Sequence, residues 1–287
     1  MKIETNNIYN TNCINLMSSM EAESVATVIT DPPFGLEFSH DHKTYNRDQR
    51  NVLKGYQDVD ACDYLDFTEK WIREASRVLR DDGTMYIVTG YTHLREILNV
   101  IHDLNLHFIS SLVWKYQFGV YTTRKWVNSH YHILMVGKDP KKIKYYPFTR
   151  YPERYKDKNG KSLNYADRES VWDIKREYWK SCLKTPTRLP YELIEKMLVY
   201  SSNKGDLILD PFMGSGQTAF VAKDLKRNYI GSEIVEEYCQ FANKRVDSGQ
   251  YLIPNIIIPD TDIPKEELTW LKKLTKKLTK SPRSIID

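Results

Sequence analysis

Several features that would place a chain in a well-marked class are missing here. The four cysteines, Cys13, Cys62, Cys182 and Cys239, are scattered without a Cys-x-x-Cys pair. Neither a disulfide framework nor a thiolate zinc site is indicated, and no metal is expected. No run approaches the roughly 20 apolar residues that span a bilayer. The opening residues, MKIETNNIYN, lack the apolar core of a signal peptide, so the expectation is a cytoplasmic protein with no membrane partner. Gly214 and Gly216 form a Gly-x-Gly pair, but no third glycine follows three residues later and the residue directly after Gly216 is Gln217, not a lysine. Dinucleotide and P-loop readings therefore find little support.

What is present suits an enzyme-sized α/β domain. The chain has 287 residues, 41% of them hydrophobic, and a formal net charge of +4, which permits a polyanionic partner without requiring one. Apolar runs alternate with helical patterns, the mark of a largely parallel sheet flanked by helices. Strands are expected at Val25–Ile29, Met85–Gly90, Phe108–Lys115, His130–Lys138, Leu207–Leu209 and Asn228–Glu233, the third and fourth forming an antiparallel hairpin. A helix with Leu65, Thr68, Trp71, Ile72, Ala75, Val78 and Leu79 on one face is closed by a turn at Asp81–Gly83, and Thr92 caps another. Between Lys115 and Lys184 there are 17 Lys or Arg against 7 Asp or Glu, interleaved with aromatics and weakly periodic. A solvated irregular insertion and a nucleic-acid surface both fit that composition.

Two short stretches carry chemistry. LDPFMGSG, Leu209–Gly216, sets an acid and two glycines between a strand and a helix, where open α/β sheets bind ligands. Glu233 stands 23 residues after Asp210 at the end of the next strand, where an acid can accept hydrogen bonds from ribose hydroxyls. A nucleoside-containing cofactor is implied. Asp210 would repel a pyrophosphate and attract an ammonium or a sulfonium. The second stretch, TDPPF, ends an apolar run with an acid and two prolines. Proline explains the strand stop but not the acid. A stiffened turn leaves the Asp31 carboxylate and the Pro32 carbonyl as fixed acceptors beside Phe34, a setting suited to an amino group on a flat heterocycle.

DPPF together with DPFMGSG closely resembles the DNA amino-methyltransferases that use S-adenosylmethionine to methylate adenine N6 or cytosine N4. The order, target motif first and cofactor motif second with a basic region between, is similar to the β class of that family. YNTNC near the start, VWDI at Val171–Ile174 and TPTRLPYELIEKML extend the likeness over most of the chain. The resemblance implies a mostly parallel Rossmann-like sheet, with a catalytic core over residues 1–118 and 183–250 and a target-recognition insertion over 119–182. Residues 251–287 read as a C-terminal extension, where Leu268, Leu271, Leu274 and Leu278 along one side with lysines on the other mark a basic amphipathic helix. It places Asp31, Pro32, Pro33 and Phe34 at the reacting amine. Asp210, Phe212, Gly214, Ser215 and Gly216 fall around the methionine part of the cofactor, Glu233 on its ribose, Thr187 and Arg188 on its carboxylate, and Asn12 with Cys13 near its adenine.

Arg124, Lys125, Arg150 and Arg154 are candidates for contacts to double-stranded DNA. No Pro-Cys dipeptide occurs, so cysteine-dependent ring-carbon methylation has no obvious nucleophile. The acid at position 31 tilts the reading toward adenine N6, with cytosine N4 as the alternative. A methyltransferase of RNA or small molecules and a non-catalytic DNA-binding module are the rivals from other classes. Leu36–Tyr56 is read as a flap over the substrate or an ordinary surface loop. The resemblance leaves room for a homodimer and for a cognate restriction endonuclease.

Overall fold

The computed structural model describes residues 3–35, 58–116, 123–147, 158, 168–177 and 188–249. In chain order the elements are β1 (Asn7–Asn10), α1 (Cys13–Ser18), β2 (Val25–Thr30), α2 (Tyr64–Val78), β3 (Leu79–Thr89), α3 (Leu94–Asp103), β4 (His107–Lys115), β5 (His130–Gly137), β6 (Val171–Asp173), α4 (Tyr191–Ser201), β7 (Leu207–Asp210), α5 (Gln217–Asp224), β8 (Asn228–Glu233) and α6 (Glu236–Ser248). The eight strands form one sheet in the order β1-β8-β7-β2-β3-β5-β4-β6. All run in the same direction except β5, which is antiparallel to both of its neighbours.

Side-chain alternation along the strands decides which helices cover which face. Ile29, Tyr86, Val88, Ile133, Ile208 and Tyr229 pack with α4, α5 and α6, while Val28, Met85, Ile87, Leu134, Leu209 and Ile230 pack with α1, α2 and α3. The central strands are apolar on both sides, as a sheet covered on two faces requires. From β2 the chain crosses through α2 to β3, and from β7 it crosses through α5 to β8 on the other side. The boundary between β7 and β2 is therefore a topological switch point, and open α/β sheets bind ligands beyond the carboxyl ends of the strands at such a point.

Three local expectations are corrected. Asp81–Gly83 is not a closing turn but part of β3, which begins at Leu79 paired with Val25 across a bulge. A Cβ on Gly83 would lie 2.7 Å from Leu79 Cδ1 and 2.8 Å from the Ala26 carbonyl oxygen, so close strand approach explains that glycine. Tyr64, not Leu65, completes the buried stripe of α2, and Leu65 is exposed. His93, not Thr92, precedes the first residue of α3, with no side-chain cap. In addition, β5 and β6 of the 119–182 segment are strands of the core sheet, so that segment contributes to the core as well as to any insertion. Leu36–Tyr56 and residues 251–287 lie outside the described residues. Among the described residues no helix is long and apolar enough to cross a membrane.

Candidate active site

Asp31 directly follows β2, and β2 pairs with β7 through Thr27 opposite Ile208 and Val28 opposite Leu209. The turn Asp31–Phe34 and the loop Pro211–Gly216 thus leave adjacent parallel strands at the same edge, although 179 residues separate Asp31 from Asp210. On the other side of β7, Asp210 pairs with Gly231 and Asn10 pairs with Glu233. Reading along the edge gives Asn12 and Cys13 after β1, Glu233 at β8, the glycine loop after β7, and Asp31–Phe34 after β2. Three strand spacings separate the two ends, on the order of 14 Å.

The glycine loop is held from inside. Asp210 is buried; its Oδ1 accepts from the Phe212 N–H at 3.0 Å and its Oδ2 from Thr218 Oγ1 at 2.6 Å. Burial, reinforced by the nearby Glu233 charge, pushes this carboxyl up to about 7. Glu233 Oε2 accepts from the Gly214 N–H at 2.9 Å and Oε1 from the Val235 N–H at 2.8 Å. Burial also raises the Glu233 pKa. A carboxylate has about four lone-pair sites, so each of these oxygens retains acceptor capacity.

Gly214 is left-handed at φ +53°, and a Cβ there would meet nothing within 4 Å. The loop therefore faces open space at this point, and a ligand can approach its backbone. Gly216, at φ +78°, is excluded from carrying a side chain by Ala242, whose Cβ would lie 2.8 Å away. Arg188 Nε donates to Ser215 Oγ at 3.1 Å. The buried Arg245 donates to the Ser215 carbonyl at 3.0 Å and to the Gln217 side chain. Phe212 packs between Phe67 and Trp71 of α2, edge-on to the latter at 5.6 Å.

At the other motif, Pro32 is buried while Asp31, Pro33 and Phe34 are half-buried. Phe34 lies 5.5 Å from Tyr131 at the start of β5, centroid to centroid. Tyr131 in turn contacts Tyr116 at 5.2 Å and Trp114 at 5.6 Å. The Arg176 guanidinium sits 4.4 Å over Tyr116 and donates to the Tyr131 hydroxyl at 3.0 Å. Such a cationic cap on an aromatic cluster holds ring orientations as well as position.

The turn ends at Gly35, left-handed at φ +63° and clamped on both sides. Its N–H donates to Asp58 Oδ1 at 2.9 Å, and its carbonyl faces His93 Nε2 at 3.0 Å. A carbonyl only accepts, so Nε2 carries the proton. His93 stacks on Tyr64 at 4.2 Å, and Tyr64 Cδ2 would be 2.4 Å from a Cβ on Gly35.

Asn12 caps α1, its Oδ1 accepting from the Ile14 N–H at 2.8 Å. Cys13 is buried, and burial pushes its thiol up to about 12. Cys239 is pushed up to about 11 by the same cause. Neither thiol is a nucleophile at neutral pH. Arg124 and Lys125 are exposed on the segment leading into β5. Thr187, Arg150 and Arg154 lie outside the described residues.

The clamp of Asp58, Tyr64 and His93 on Gly35, the Arg176 cap and the Arg245 support are absent from the sequence reading. A glycine directly after Asp-Pro-Pro-Phe was the available local signal for the clamp. Its partners come from other elements and carried none.

Fold and edge together define a doubly wound α/β protein whose switch point carries an acid and a glycine loop on one side and a proline-stiffened acid turn on the other. A family model described as DNA methylase matches residues 25–244, and the chain belongs to that family. It is 35% identical over 241 residues to the Type II methyltransferase M.HpaI of Haemophilus parainfluenzae, covering 83% of this chain and 73% of that protein. With M.HinfI of Haemophilus influenzae it shares 28% over 262 residues, 86% and 70% of the two chains. Among solved structures, the PvuII DNA methyltransferase (cytosine-N4-specific) superposes with a TM-score of 0.64 at 17% identity, covering 93% of this chain and 90% of that one. The M1.HpyAVI–SAM complex gives 0.59 at 22%, covering 84% and 98%. These structural likenesses speak for the fold.

Proposed function

We propose that this chain transfers a methyl group from S-adenosylmethionine to the exocyclic N6 of an adenine extruded from double-stranded DNA. The observation that carries the reading is the adjacency of β2 and β7, which sets an acceptor-rich turn beside an acid-and-glycine loop at one sheet edge. The order along that edge also matches a nucleoside joined to an amino acid. Asn12 and Cys13 stand where an adenine would lie, Glu233 where a ribose would lie, and Asp210 with Gly214, Ser215 and Gly216 where a charged sulfur would lie. Arg188, with Thr187, meets the cofactor carboxylate. M1.HpyAVI was solved with SAM on the same fold.

When bound, S-adenosylmethionine supplies a methyl group already activated by a positive sulfur. The protein's work is positioning and exclusion of water. Asp31 and the Pro32 carbonyl accept the two N–H bonds of the amine, which draws the nitrogen lone pair out of the ring. Pro33 stiffens the turn, and Phe34 stacks on the base. Asp210 ionises against the sulfonium, since an adjacent cation favours the charged carboxylate. The open face of Gly214 admits the ligand. No covalent link to the protein forms. Because the amine lies inside a duplex, the base must leave the stack.

The distribution of positive charge supports target recognition by the parts of 119–182 outside β5 and β6, with Arg124, Lys125, Arg150 and Arg154 on phosphates or guanine edges. Residues 1–118 and 183–250 provide the core, and 251–287 an extension. A site-specific role in restriction-modification fits the Type II relatives. Incubation of labelled cofactor with duplex DNA, then nucleoside analysis, tests the proposal. N6-methyladenine supports it, N4-methylcytosine replaces the target base, and label in neither refutes it.

A further inference from the structure

Trp126 is 95% exposed, the most exposed large apolar side chain among the described residues. An indole held in water with almost none of its surface covered leaves a large flat ring available for stacking. Its surroundings say on what. The segment from 123 to 129 enters β5, whose first residue lies at the same sheet edge as Asp31–Phe34, because β5 runs antiparallel to β3 and β4. Arg124 and Lys125 precede the indole directly and are exposed. Tyr91, just beyond the carboxyl end of β3 and itself 54% exposed, anchors the segment. Lys125 Nζ donates to its hydroxyl at 3.1 Å and lies 5.8 Å over its ring. The base of the segment is thus fixed while the indole projects.

Resting on the methyltransferase reading above, we infer that Trp126 is the element that enters the duplex and stacks in the place vacated by the extruded base. The partner is a base-paired DNA stack, because the patch combines an uncovered aromatic with adjacent cations suited to the phosphates on either side. Extrusion leaves two neighbouring bases without a stacking partner, and an apolar wedge covers them. The cost of opening the duplex then falls, while chemistry at the amine is untouched.

The test compares two substrates. One is a fully paired duplex. The other carries the target adenine opposite an abasic site, where unpairing costs little. Stacking of one aromatic on a base is worth roughly five- to hundredfold. Trp126→Ala is therefore expected to lower methylation of the paired duplex by about that factor and to stay within about threefold of wild type on the abasic duplex. Trp126→Phe should retain most of the paired-duplex rate. With 2-aminopurine at the target position, wild type should raise fluorescence on binding, and Trp126→Ala should not.

A Trp126→Ala variant as active as wild type on paired DNA overturns the inference. So does one equally impaired on both substrates with unchanged cofactor affinity and thermal midpoint. Wild-type protein that methylates neither duplex overturns the methyltransferase reading beneath it.

Discussion

Gly35→Ala should disable the site without emptying it. The residue is left-handed at φ +63°, which costs an L side chain about 1–2 kcal/mol. The new Cβ would then lie 2.4 Å from Tyr64 Cδ2, where ordinary contact begins at 3.4 Å. Tyr64 cannot swing away, being 1% exposed and stacked on His93 at 4.2 Å. Overpacking of this kind costs roughly 1–3 kcal/mol more. The chain can relieve the strain by giving up the hydrogen bonds of Gly35 to Asp58 and His93, and the Asp31–Phe34 turn moves with them. Displacement of a positioning element by about 1 Å costs on the order of a hundredfold in rate. Single-turnover methylation should therefore fall about a hundredfold. The cofactor Kd by calorimetry should stay within about twofold, since the glycine loop after β7 is untouched. Turnover within threefold of wild type would refute the idea that this clamp positions the amine acceptors.

Other perturbations separate the parts of the site. His93→Ala should reproduce the rate defect at about tenfold and His93→Gln should restore most of it, as a hydrogen bond to a carbonyl requires; equal defects in both would contradict this. Asp31→Ala should abolish turnover while calorimetry still records cofactor binding, and retained turnover would remove Asp31 from its role. Asp210 has a carboxyl raised to about 7, and its charged form is the one that holds a sulfonium. Cofactor affinity should therefore weaken as pH falls through 7, up to tenfold per unit below it. Asp210→Asn should be weak and flat across pH 6–8, and a flat wild-type profile would contradict the assignment. Trp114 is buried, donates to the Ile174 carbonyl at 2.8 Å and packs on Tyr131. Trp114→Ala should destabilise by about 3–5 kcal/mol, read from urea midpoints; a loss under 1 kcal/mol would refute its core role.

Elements with a clear period were legible in the chain. Asn228–Glu233 was read with the bounds observed for β8, and the hairpin of β4 with β5 followed from two apolar runs close together. Short elements were not: β1 has four residues and β6 three, too few for a period to register, and both form through pairing with strands already in the sheet. Asp81–Gly83 reads as a turn because its residues favour turns, whereas they lie within β3 at the bulge between Leu79, paired with Val25, and Thr84, paired with Thr27. At the site, each motif was visible by itself. Their adjacency was not, since it depends on β7 inserting beside β2, a long-range property of strand order. The supports supplied by His93, Arg176 and Arg245 are invisible for the same reason: each is a single polar residue whose partner lies dozens of positions away.

The most direct test is the structure of the protein bound to a non-transferable cofactor analogue and a duplex containing its target site. The expected result is an extruded adenine with N6 about 3 Å from both an Asp31 oxygen and the Pro32 carbonyl, its ring on Phe34, and the analogue's sulfur-equivalent atom lying against Gly214 in line with that nitrogen. A base left in the stack with the analogue bound, or an amine held away from Asp31, would contradict it.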